Sequence, residues 1–180
     1  MDVKSKTTTI CSLSEIQFYR DKVLNNMEKS KQSIKTIVEK EDALSFFKNV
    51  KYNKIVNDSL TEDAENFIEI VNQDQTYLVS LKSAEYLKKR FPDKCFIINF
   101  GNVSGYDIVS TDGRIIAECF AATSYRSNSK LLKDLKRLSK SEDVDYKFEF
   151  FYDLEFGEKS KAYYEKKYPD IEIIHFSDVV

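Results

Sequence analysis

The sequence predicts a mixed α/β domain, with a central mixed sheet flanked by helices and a helical region at the N-terminus. Three observations carry this expectation. The hairpin over residues 106–118 is apolar on both faces, with Val109 and Ile116 on one and Ile108, Ala117 and Cys119 on the other. Strands of that kind belong inside a sheet covered on both sides. From residue 76 onward, strand-like and helix-like segments alternate to the end of the chain. Before residue 76 the apolar residues follow the helix period instead.

Taken in order, residues 1–9 are polar, Thr-rich and expected to fray. Ser12 or Ser14 with Glu15 opens a long helical pattern through Ile16, Tyr19, Val23, Met27, Ile34 and Val38. A second helix is expected over 41–50 and an acidic amphipathic one over 61–70. Residues 78–91 read as a helix stopped by Pro92, and 95–100 as a short buried strand. The hairpin strands are 106–110 and 114–123. Ser127, Asn128 and Ser129 offer capping oxygens to a helix over 130–140, whose Leu131, Leu132, Leu135 and Leu138 share one face. Alternation marks a strand over 146–152. Residues 158–168 form a helix ended by Pro169, and 171–176 a last strand. The chain thus divides into a helical region, 1–75, and an α/β core, 76–180.

The 180 residues carry a net charge of −2, which is not that of a generic nucleic-acid binder. The charge is uneven, however. Residues 76–140 hold twelve basic side chains against six acidic ones, whereas residues 58–74 hold six acidic side chains and no Lys or Arg. A locally basic surface beside the hairpin is therefore expected. Cys11, Cys95 and Cys119 show no CxxC spacing and read as reduced core thiols of a cytoplasmic protein. No basic stretch leads into an N-terminal apolar run, and no run approaches the roughly 18 apolar residues of a membrane span, so neither signal peptide nor membrane partner is expected. A single histidine, His175, excludes a His-rich metal site and leaves only a triad built on that residue; it reads as structural.

Asp112-Gly113 is a strong signal for a two-residue type I′ turn, with φ > 0 at both positions. That register sets Val109 against Ile116 and Asp107 against Glu118. Cross-strand neighbours have Cβ atoms roughly 4.5–5.5 Å apart, and like charges there are destabilising. A divalent cation is the simplest compensation.

These residues resemble the PD-(D/E)xK nuclease superfamily, the restriction-endonuclease-like fold: a helix, a three-strand meander, a helix and a strand. Residues 105–109 match its second strand with the acidic residue at Asp107, and 117–120 match its third with Glu118. The match covers residues 76–180. It departs from the pattern at Phe120, which stands where the motif lysine is expected. The resemblance implies a Mg²⁺-dependent endonuclease, with Mn²⁺ substituting, acting on DNA in restriction or repair. Asp107, Glu118 and the backbone carbonyl of Cys119 would ligate the metal, and Glu85, on the helix before the core, is a place from which related folds recruit another acidic ligand. The family is known to move its lysine to the following helix, where Lys130 is the first candidate and Lys133 the second. Lys88, Lys89, Arg90, Lys136 and Arg137, with Arg126 in the loop after the motif strand, are candidate phosphate contacts. Symmetric cutting of two strands would require a homodimer, with the N-terminal helices forming its interface or gripping DNA. The alternative is a descendant of the fold that has lost catalysis and serves as a DNA-binding or protein-interaction module.

Overall fold

The computed structural model describes residues 6–101 and 104–179. Thr7–Ile10 (β1) opens the chain, followed by the helices Leu13–Lys40 (α1) and Ala43–Tyr52 (α2). A two-residue ladder, Val56–Asn57 (β2) with Ala64–Glu65 (β3), leads into Phe67–Arg90 (α3). Then come Phe96–Asn99 (β4), Ile108–Ser110 (β5), Ile115–Ala121 (β6), Lys130–Ser139 (α4), Tyr146–Tyr152 (β7), Glu158–Lys167 (α5) and Glu172–Phe176 (β8). The main sheet has six strands in the order β1-β4-β5-β6-β7-β8. Its first three pairings are antiparallel and its last two parallel. The mixed sheet expected from the sequence is therefore present.

Helices cover both faces, as the two-sided apolar hairpin requires. On one face Ile16, Tyr19 and Val23 of α1 and Leu78, Leu81, Ala84 and Leu87 of α3 pack on Phe96, Ile108, Ala117, Cys119 and Phe148. On the other, Leu131, Leu135 and Leu138 of α4 pack on Ile116, Phe120 and Phe151. Ser12 caps α1 through a reciprocal box with Glu15, which satisfies two otherwise orphaned backbone donors.

Several expectations need correction. Of the segment 1–9 expected to fray, residues 1–5 lie outside the described residues and Thr7, Thr8 and Thr9 are not frayed: these β-branched threonines form an edge strand with Ile10 against β4. That register sets Ile10 opposite Phe96, so Cys11 and Cys95 face each other and form a disulfide rather than two reduced thiols. Only Cys119 is free and buried. A bridge closing so long a loop is worth about 2–4 kcal/mol. The acidic helix over 61–70 does not form. Asp58 accepts the backbone N–H groups of Leu60 and Thr61, and Glu62 takes a left-handed φ of 66°, which breaks a helix. Asn66 then caps α3, which runs unbroken across residue 75, so the boundary between a helical region and a core falls inside one helix. The hairpin turn is closed from Gly113 N–H to Ser110 C=O at 2.8 Å, and only Gly113 has a positive φ there. It is not type I′, yet the expected register survives, with Ile108 opposite Ala117 and Val109 opposite Ile116. Ser129 is left-handed, at φ 54°, and makes no side-chain cap on α4. Among the described residues no helix is long and apolar enough to cross a membrane.

Asp74 of α3 is 1% exposed. The Ser59 hydroxyl donates to its Oδ1 at 2.5 Å, while Oδ2 has no partner. Burial, reinforced by the charge of Asp58, pushes its pKa up to about 6 from 3.8. Between these values the folded protein keeps a proton that the unfolded chain has released, so stability from this group falls as pH rises through about 4–6. At roughly 1.4 kcal/mol per unit the loss is about 3 kcal/mol. Urea melts of wild type and Asp74→Asn at matched pH should therefore show the wild type losing about 3 kcal/mol relative to the variant between pH 4 and pH 7. Parallel profiles would contradict this reading.

Candidate metal-binding cleft

Asp107 sits just before β5, and Glu118 lies in β6. Continuing the β5–β6 pairing places them opposite each other, on the face that carries Ile116, Phe120 and α4. The Cys119 N–H donates to Asp107 Oδ2 at 2.7 Å, which fixes that carboxylate across the strand pair. Glu118 is 1% exposed. Arg137 of α4 lies 2.7 Å from its Oε1 as an ion pair, but not along a hydrogen-bonding direction, and neither Glu118 oxygen accepts a directed bond. Burial first, and then the Asp107 carboxylate beside it, push the pKa of Glu118 up to about 8.

Two further carboxylates complete the cluster. Glu149 of β7 is paired with Glu118 in the parallel register, is fully buried, and has no hydrogen bond to either oxygen. Burial and the surrounding acids raise its pKa well above the usual range. Asp134 of α4 is 5% exposed and is paired with Lys130 Nζ at 2.8 Å. Burial raises its pKa despite that lysine. Burial opposes the charge on Lys130, but Asp134, Asp107 and Glu118 together outweigh it and raise its pKa. Four carboxylates thus share two cations, Lys130 and Arg137. The surplus is relieved either by protons, the direction in which Glu118, Asp134 and Glu149 all shift, or by a cation.

Asp107 and Lys130 open onto a cleft of about 320 Å³, which Cys119, Phe120, Thr76 and Ser80 also line. Among the described residues no three His, Cys, Asp or Glu side chains form a ready-made metal cluster. Mg²⁺, however, commonly takes only one or two carboxylates and completes its shell with water and substrate oxygens. The residues present fit that pattern: Asp107 lines the open cleft, and Glu118, buried on the adjacent strand, has neither oxygen in a directed hydrogen bond.

The structure brings Asp107, Glu118, Cys119 and Lys130 together and adds Arg137 as the partner of Glu118. Lys133 and Lys136 are exposed on α4 and line a neighbouring recess with Tyr106, Arg137 and Lys140. Arg126 lies over the Tyr125 ring, 5.1 Å from its centre. Glu85 is not at the cleft. It pairs with Arg20 at 2.5 Å and Lys89 at 2.6 Å, because its part of α3 faces α1. Lys88 donates to the carbonyls of Pro92 and Lys94, and Arg90 pairs with Glu172. This end of α3 lies toward the hairpin turn, where Lys94 pairs with Asp112. Lys88, Lys89 and Arg90 are therefore engaged in contacts away from the cleft. Phe120 stacks on Phe151 at 5.0 Å, and His175 sits 3.1 Å from Asp153 as a structural residue.

Glu149 and Asp134 went unassigned in the sequence. Asp134 had a local signal, its i,i+4 spacing from Lys130 on an otherwise basic helix. Glu149 is a carboxylate in an aromatic strand, and its meaning depends on the parallel β6–β7 register, which no local pattern specifies. The chain matches no protein-family model, and comparison with curated proteins and with solved structures gives no significant match.

Proposed function

We propose that the protein is a Mg²⁺-dependent phosphodiesterase acting on nucleic acid, built on a restriction-endonuclease-like core in which α4 supplies the lysine missing at position 120. The observation that carries this reading is the convergence of Asp107 and Lys130, which line an open cleft, with Glu118, buried on the strand adjacent to Asp107. Asp107 and Glu118 would hold the ion, with the Cys119 carbonyl as a further ligand. A bound divalent ion supplies an activated water at neutral pH and stabilises charge on the leaving oxygen.

The chain's own residues do the rest. The Cys119 N–H holds Asp107 in a fixed orientation. Arg137 offsets the buried charge of Glu118 and so helps it to ionise when its proton is displaced. Lys130, 43% exposed at its side chain, can leave Asp134 for a substrate phosphate and neutralise charge there. The exposed lysines of α4 supply phosphate contacts.

Fluorescently labelled DNA and RNA, single- and double-stranded, incubated with Mg²⁺ or Mn²⁺, test this proposal. Cleavage that chelator and Glu118→Gln both abolish is the expected result. Nucleic-acid binding with no cleavage by the wild type would instead favour the non-catalytic module, the reading to which the core packing of Phe120 lends support.

A further inference from the structure

Two recesses of opposite character flank the cleft. Beside Tyr106 lies the α4 recess of about 460 Å³, whose walls carry Lys133, Lys136, Arg137 and Lys140. Arg137 stacks on the Tyr106 ring, 4.7 Å from its centre. The other, a recess of about 290 Å³, shares Ala121 and Ala122 with the cleft. Val71, Asn72 and Gln75 of α3 form one wall of that recess, and Thr123, Tyr152 and Leu154 the other. Among the described residues, none that lines it is charged. Two of its apolar side chains stand open to solvent: Val71 is 44% exposed and Leu154 73%.

This asymmetry bears on the form of the substrate. A duplex carries phosphates on both strands on either side of a cleavage point, and bound phosphates require donors or cations. Laid through this cleft, a duplex would press phosphates against a wall that carries no cation, where only the neutral side chains of Asn72, Gln75 and Thr123 and, at its edge, Tyr152 can donate. An unpaired strand can rotate its bases toward such a wall and stack them on aromatic and apolar side chains, an interaction every base can make. We infer that the substrate is a single-stranded nucleic acid, its phosphates following the α4 recess on one side of Asp107 and its bases lying against Val71, Tyr152 and Leu154 on the other. This inference rests on the phosphodiesterase reading of Asp107 and Glu118.

Fluorescence anisotropy with short labelled oligonucleotides tests it, with Ca²⁺ in place of Mg²⁺ to permit binding without cleavage. The probes are single-stranded DNA, single-stranded RNA and a DNA duplex of the same length. At least one single-stranded probe should bind about tenfold or more tighter than the duplex. Val71→Asp and Leu154→Asp, both at exposed positions, should each weaken single-strand binding by about tenfold, the scale of one lost base-stacking contact. Lys136→Glu should weaken all probes and flatten the salt dependence. Equal binding of the duplex, or single-strand binding unchanged in both aspartate variants, overturns the inference and leaves the phosphodiesterase reading standing. If no probe binds with Ca²⁺ or Mg²⁺, that reading falls and the inference with it.

Discussion

A chain that begins at Asp74 should not fold. It would lose Ile10, Ile16, Tyr19, Val23, Leu60 and Ile70, each at most 7% exposed, together with the edge strand, the disulfide and the first two turns of α3. Burying one such side chain is worth about 1.5–3 kcal/mol, and a whole domain is stable by only about 5–15 kcal/mol. The N-terminal segments are thus part of the core and not an appendage that could be removed to probe assembly. Circular dichroism and limited proteolysis of the truncated protein check this directly. A cooperative melt and native-like protease resistance would show that the 76–180 segment is an independent unit after all.

The reason this was not legible in the sequence lies in α3. Its segment 72–75 reads Asn-Gln-Asp-Gln, which looks like a linker. Further along, Tyr77, Leu78, Val79, Ser80 and Leu81 are all buried. A helix wedged between α1 and the sheet is covered nearly all round, so it shows no one-sided apolar stripe. The edge strand β1 was hidden for a related reason: its threonines look like a polar tail until β4 is present to pair with them. The hairpin could be read because its information is local. Two apolar runs and one short turn fix which residues oppose each other, and Asp107 and Glu118 follow from that register even though the turn type differs. The amphipathic α4 and the strands β7 and β8 were legible on the same basis. Glu149 was not, because only the pairing of distant strands sets it beside Glu118.

Lys130→Ala should lower cleavage by about 10²–10⁴-fold, the scale of a positioned electrostatic or acid–base group. The substitution also leaves Asp134 buried without its partner. The double variant Lys130→Ala with Asp134→Asn removes that surplus charge and should melt close to the wild type while remaining equally inactive. Lys133→Ala, which changes an exposed residue of the α4 recess, should raise KM with little effect on kcat. If Lys130→Ala cleaves at the wild-type rate, or if Lys133→Ala shows the larger loss in kcat, the assignment of the migrated lysine to Lys130 is wrong.

Calorimetric titration with Mn²⁺ shows whether Asp107 and Glu118 together hold a divalent ion. The titration should be run near pH 7 on the wild type and on Glu118→Gln, each free and saturated with an oligonucleotide whose linkages resist cleavage. Because Glu118 holds its proton up to about pH 8, metal entry should expel that proton, and the measured heat should vary with the ionisation enthalpy of the buffer. One saturable site in the wild type, accompanied by proton release, and no such site in Glu118→Gln are the expected results. Absence of saturable binding in both the free and the nucleic-acid-bound wild type, or binding of equal strength in Glu118→Gln, would contradict a site shared by the two carboxylates.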